Sequence, residues 1–104
     1  MRKLSETYKT FRRLKFPKTP TNDILDDIFT DLVQYDSHVA GSVDKLLKGK
    51  AIKSTDLYFD IGLEKRIQEF ISQAKNQDDL KNAETYLQYL DNLRELIRVA
   101  EAAK

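Results

Sequence analysis

The side chains best suited to chemistry in this chain crowd into residues 23–38. Asp23, Asp26, Asp27, Asp31 and Asp36 supply five carboxylates there, and His38, the sole histidine, follows. On a helix, Asp27, Asp31, Gln34, His38 and Lys45 fall within about 40° of one line, because steps of three and four residues return to the same face. Carboxylates at i and i+4 followed by histidine form part of a metal-ligand stripe. A divalent ion needs three or four convergent ligands, however, and one helix brings only adjacent ones together. No Glu-x-x-His pair occurs, so the di-metal bundle pattern is also missing. The expectation is no metal site, with His38 on a solvated face.

Asp36 poses a separate question. If residues 21–48 form one helix, it lies in the middle of the apolar arc, among Leu32, Val39 and Val43. A buried carboxylate without a partner would cost several kcal/mol, so it must be paired, protonated or reached by water. Three arrangements satisfy that demand. Asp36 is a perturbed acid in a cleft or against a cationic partner; or it is held by a tyrosine or an arginine and fixes register; or the helix breaks near Asp36-Ser37 and Asp36 caps the second piece.

Other catalytic chemistry finds little footing. The chain has no cysteine, no Gly-x-Ser-x-Gly and no serine recognisably partnered with His38. No glycine-rich loop is present to cradle a phosphate, so a P-loop or dinucleotide turn is missing as a motif. The reading is a non-enzymatic protein with no cofactor.

The elements that would position these residues are helical. Only 3 glycines and 2 prolines in 104 residues argue against a turn-rich β fold, and 40% hydrophobic residues suffice for one domain's core, spanning 1–104. Leu4, Tyr8, Phe11 and Leu14 predict a first helix over about 2–15, ended by Phe16-Pro17-Lys18-Thr19-Pro20. A second helix is predicted over about 21–48, from a Thr21 or Asn22 cap to the terminator Gly49. Its apolar positions cover about half the circumference, so it should lie between two neighbours or complete itself in a homodimer. Phe59, Leu63, Ile67, Phe70 and Ile71 mark a third helix over about 55–75. Leu80, Ala83, Leu87, Leu90, Leu93 and Ile97 mark a fourth over about 79–102, with Asp78 as its cap. The short link makes helices three and four antiparallel. The expected fold is all-α: a small antiparallel helical bundle of three long helices and a short N-terminal one.

Net charge, +1, conceals strong segregation. Residues 1–20 carry Arg2, Lys3, Lys9, Arg12, Arg13, Lys15 and Lys18 against Glu6 alone, whereas residues 21–36 carry the five aspartates and no base. Such blocks either neutralise each other across a hairpin or serve partners. The expected function is protein–protein interaction, as an adaptor, regulator or immunity-type neutraliser. Asp23, Asp26, Asp27 and Asp31 are its candidate contacts, with Tyr86 and Tyr89 at the boundary of helix four. The alternative is binding of an anionic membrane surface or nucleic acid through Arg2, Lys9, Arg12 and Arg13. No apolar run approaches the ~20 residues of a membrane span, and the lack of cysteine points to a reducing, cytoplasmic setting.

Overall fold

Asn22 starts the long second helix by its own chemistry. Its side-chain oxygen accepts from the backbone N–H groups of Ile24 (2.9 Å) and Leu25 (3.1 Å), two donors that a helix start otherwise leaves without partners. At the other end Gly49 takes φ +76°, and the N–H groups of Gly49 and Lys50 turn back to the carbonyls of Leu46 and Lys45. That is a Schellman termination, for which glycine pays no Cβ penalty. In this computed structural model, which describes residues 2–103 (Arg2 by its main chain only), four helices result: α1 Arg2–Arg12, α2 Asp23–Leu47, α3 Ile61–Gln73 and α4 Gln77–Ala103. The fold is an all-α helical bundle, and α2 is continuous through Asp36-Ser37.

Three boundaries differ from the sequence reading. α1 stops at Arg12 rather than near residue 15, its last turn tightening through Arg13 N–H to Thr10 and Leu14 N–H to Phe11 (3.0 Å). Leu14 thereby leaves the apolar stripe and is exposed. α3 starts at Ile61 rather than near 55, because the backbone before it bonds to side chains and in isolated turns, such as Asp56 N–H to the Lys53 carbonyl (3.0 Å), instead of in a helical ladder. Tyr35 Oη donates to the Tyr58 carbonyl (2.6 Å) and accepts from Asp60 N–H (3.2 Å), while Asp56 accepts from Lys53 N–H (2.9 Å). Asp60 then caps α3 through Leu63 N–H. α4 starts two residues early because Asn76, not Asp78, is the cap, accepting from the N–H groups of Asp78 and Asp79.

The two long helices α2 and α4 run parallel, with Asn22 beside Asp79, Phe29 against Tyr86 and Asp36 against Tyr89. α1 and α3 flank this pair, each antiparallel to its neighbours and not touching one another. The core fills the space between: Leu25, Leu32, Val39 and Val43 of α2, Leu63 and Ile67 of α3, Leu90, Leu93 and Leu96 of α4, closed by Leu4 and Phe11 of α1. The wide apolar arc of α2 is thus covered within one chain. Leu57 is also buried, so the 48–60 connector takes over where α3 is too short to reach.

Both connectors are tied down by phenols. Tyr86 of α4, 0% exposed, donates its hydroxyl to the Lys18 carbonyl at 2.6 Å, as Tyr35 does to Tyr58. Burial pushes both hydroxyls up to about 12, with the Asp26 charge adding to the effect at Tyr86. Tyrosines that ionise near 10 when unfolded and near 12 when folded contribute stability that is complete below pH 10 and lost as pH rises towards 12. The melting temperature should therefore drop steeply above pH 10. Tyr35→Phe and Tyr86→Phe should each flatten that drop while lowering stability at pH 7 by about 1 kcal/mol. Melts between pH 7 and 11.5 check both.

The glycines give a second prediction. Gly41 lies mid-helix with nothing within 4 Å of an added Cβ, whereas Gly49 has the left-handed φ. Gly41→Ala should raise stability by about 0.5–1 kcal/mol and Gly49→Ala should lower it by about 1 kcal/mol. Urea unfolding reads both.

Candidate functional site

Three surfaces hold the residues that the sequence singles out. On the first, α2 presents Asp23, Asp26, Asp27 and Asp31 to solvent. Of the two arrangements open to the charge blocks, neutralisation of these four aspartates by α1 across a hairpin is not the one present. α1 packs mainly against α4 and towards the C-terminal half of α2, where Tyr8 Oη approaches the Ala40 carbonyl (3.4 Å). Of the acidic block, Asp31 pairs with Arg66 of α3 and Asp27 lies on the same side, whereas Asp26 lies close enough to Tyr86 of α4 to act on its hydroxyl. Asn22 Nδ2 donates to Asp79 at 3.3 Å, closing the far end.

Between α2 and the end of α3 lies an open groove of about 500 Å³. Ile24, Ile28, Phe70 and Ala74 supply its apolar surface, and Asp27, Glu69 and Asp79 its acidic lining, with Arg66 and Lys75 as bases. Ile24 is 67% exposed, the most exposed large apolar side chain among the described residues. Sequence reasoning missed Ile24 because it falls off the α2 stripe. Its signal was being an apolar residue one step away from that stripe and set among aspartates.

On the second surface sits Asp36, half-buried, accepting from Tyr89 Oη at 2.7 Å. Of the arrangements open to it, the tyrosine bond is the one present. Burial pushes the Asp36 carboxyl up, while the Tyr89 hydrogen bond and the Arg12 charge pull it partly back. The Tyr89 hydroxyl is pushed well above the usual phenol range by burial, then by the hydrogen bond and the charge of Asp36. Around the pair, Phe16 and Phe11 pack on the Tyr89 ring at 4.9 and 5.4 Å.

Tyr86 and Tyr89 are therefore corrected as partner contacts. At 0% and 8% exposed they are core residues, and both hydroxyls already have partners inside the molecule. Two aromatic rings beside an apolar stripe fit a boundary as well as a core; Phe11, Phe16 and Phe29, arriving from other elements, cover them.

The third surface is the outer side of α1. Lys9, Arg12 and Arg13 are exposed, Arg12 lying 5.9 Å from the centre of the Tyr8 ring; the side chain of Arg2 lies outside the described residues. His38 is exposed, and its Nε2 sits 2.8 Å from the Asp56 carbonyl, with the Tyr58 ring tilted against it at 5.6 Å. It serves the 48–60 connector. Among the described residues no group of three or more His, Cys, Asp or Glu side chains could hold a metal ion, and no helix is long and apolar enough to cross a membrane.

No protein-family profile, no curated protein and no solved structure matches this chain.

The Asp36 geometry yields a prediction with a definite sign. A carboxyl raised in the folded state contributes stability that is complete below the ordinary carboxylate range and is lost as pH rises through the folded value. Asp36→Asn keeps an acceptor for Tyr89 without the charge. It should gain on the wild type between pH 3 and pH 7 and be at least as stable at pH 7. Asp36→Leu leaves the Tyr89 hydroxyl without a partner and should cost about 1–3 kcal/mol. Urea unfolding at the two pH values separates these outcomes.

Proposed function

We propose that this protein is a non-enzymatic interaction module, an adaptor, regulator or neutraliser, whose α2–α3 groove takes a basic segment of another protein. The observation that carries the reading is the position of α1. Because that helix lies against α4, the acidic half of α2 keeps its charge unneutralised by the basic N-terminal segment and its Ile24 uncovered. An exposed apolar residue inside a charged rim has the composition of a recognition surface: apolar contact supplies affinity, and complementary charge supplies orientation and association rate. The charge sign selects the partner. Asp23 and Asp27 form no ion pair among the described residues, and Arg66 is engaged by Asp31. A partner bearing lysine or arginine beside one or two apolar side chains matches this groove. A cytoplasmic setting accompanies the reading, since a chain without cysteine needs no oxidising compartment.

The test is affinity capture from nuclease-treated source lysate by the wild type, by Ile24→Ser/Asp27→Lys and by Lys9→Gln/Arg13→Gln. A protein retained in stoichiometric amount by the first and third, and lost by the second, is the expected result. Both substitutions of the second variant lie on the surface, so its melting temperature should stay near that of the wild type. Retention by all three would sink the groove. Loss by the third alone, with steep salt dependence, would place the function on the basic face of α1.

A further inference from the structure

On the other side of the first turn of α4 lies a second cavity, of about 490 Å³, with the opposite character. Asp79 lines the acidic groove, and its neighbour Asp78 lines this one. Lys15 and Lys18 enter it from the α1–α2 connector, and Lys81 enters from α4. Among the described residues none of the three lysines pairs with a carboxylate. Asp78 is the single acid in the lining, and Asn82, Thr19, Thr21 and Thr85 add neutral hydrogen-bonding groups.

From this arrangement we propose that the cavity binds a small soluble compound carrying two or more phosphoryl groups. Three lysines from two elements in one lining, with a single acid, favour a ligand of high negative charge, and lysine binds phosphate as a compact point charge with three donors. The volume exceeds what a single phosphate occupies and lies within the range of small-molecule sites. The helix terminus contributes nothing here, since Asn76 already takes the N–H groups of Asp78 and Asp79.

The walls are fixed before any ligand arrives. Tyr86 Oη holds the Lys18 carbonyl at 2.6 Å, Pro17 and Pro20 are buried, and Phe16 packs on Tyr89. The two connector lysines thus emanate from a pinned backbone, so the ordering cost of binding falls on the lysine side chains and not on the main chain.

The probe is inorganic tripolyphosphate, titrated calorimetrically into the full chain at 0.15 M salt. Saturable one-to-one binding is expected. Lys18→Gln/Lys81→Gln should weaken it by roughly tenfold or more, as the loss of charge-assisted hydrogen bonds does. Asp78→Asn should strengthen it several-fold, because it removes the one acid of the lining. Lys9→Gln/Arg13→Gln, outside the cavity, should leave it unchanged. Absence of saturation would overturn the proposal, as would equal weakening by Lys9→Gln/Arg13→Gln, which would signify diffuse attraction of a polyanion to the basic segment. A second arm uses phosphoinositide-containing vesicles and duplex DNA. Binding of either that tripolyphosphate fails to displace would also overturn it, by assigning the lysines to a membrane or nucleic-acid surface.

Discussion

Two tyrosine hydroxyls decide where the non-helical quarter of this fold can go. Tyr86 holds the carbonyl of Lys18, and Tyr35 stands between the carbonyl of Tyr58 and the N–H of Asp60. In a bundle with helices of unequal length this constraint is severe. α1 and α3 are short beside α2 and α4, so the connectors must cover apolar surface that no helix reaches. A connector in that position brings backbone polar groups into a partly dry environment, where each needs a partner. A phenol projecting from a rigid helix supplies one while its ring fills the space beneath. The phenols gain in turn, for no buried side-chain nitrogen or oxygen among the described residues is left without a hydrogen bond.

These bonds also place everything with a claim to function. The Lys18 anchor fixes the connector that walls the lysine cavity, and the Tyr35 anchor fixes the start of α3, whose far end forms one side of the acidic groove. Both grooves meet at the beginning of α4, where adjacent aspartates face different ways. Surface character changes sign there within one helical turn, because neighbouring residues on a helix point about 100° apart.

The helices themselves were legible because their signals are local. Apolar spacing, the Asn22 cap and the Gly49 terminator each act within a few residues, and the structure uses all three. What was not legible depended on distant partners. The start of α3 is delayed by Tyr35, more than twenty residues away, and the burial of Tyr86 and Tyr89 depends on Phe11, Phe16 and Phe29 arriving from two other segments. Ile24 illustrates the converse. Periodicity identifies what a helix buries, and the residue that lines the groove is apolar at a position where the period calls for something polar. Asp36 lay between these cases: its need for a partner followed from its place in the arc, but that the partner is Tyr89 followed only from the register of α4 against α2.

The side of the bundle taken by α1 is a contest between two energies of different size. Laying the basic helix along the aspartates would have formed several exposed ion pairs, each worth about 0–1 kcal/mol and weakened by salt. Laying it against α4 buries Leu4 and Phe11 and brings Phe16 onto Tyr89, at about 1.5–3 kcal/mol for each large side chain fully covered. Apolar burial wins, and charge segregation survives folding because of it. Opposite charges adjacent in sequence end up on different surfaces, each retaining a net sign that the fold has not spent on itself. A bundle organised by its ion pairs would have used its aspartates and lysines internally; one organised by aromatic packing leaves most of them on the surface, acids on one side of the start of α4 and lysines on the other.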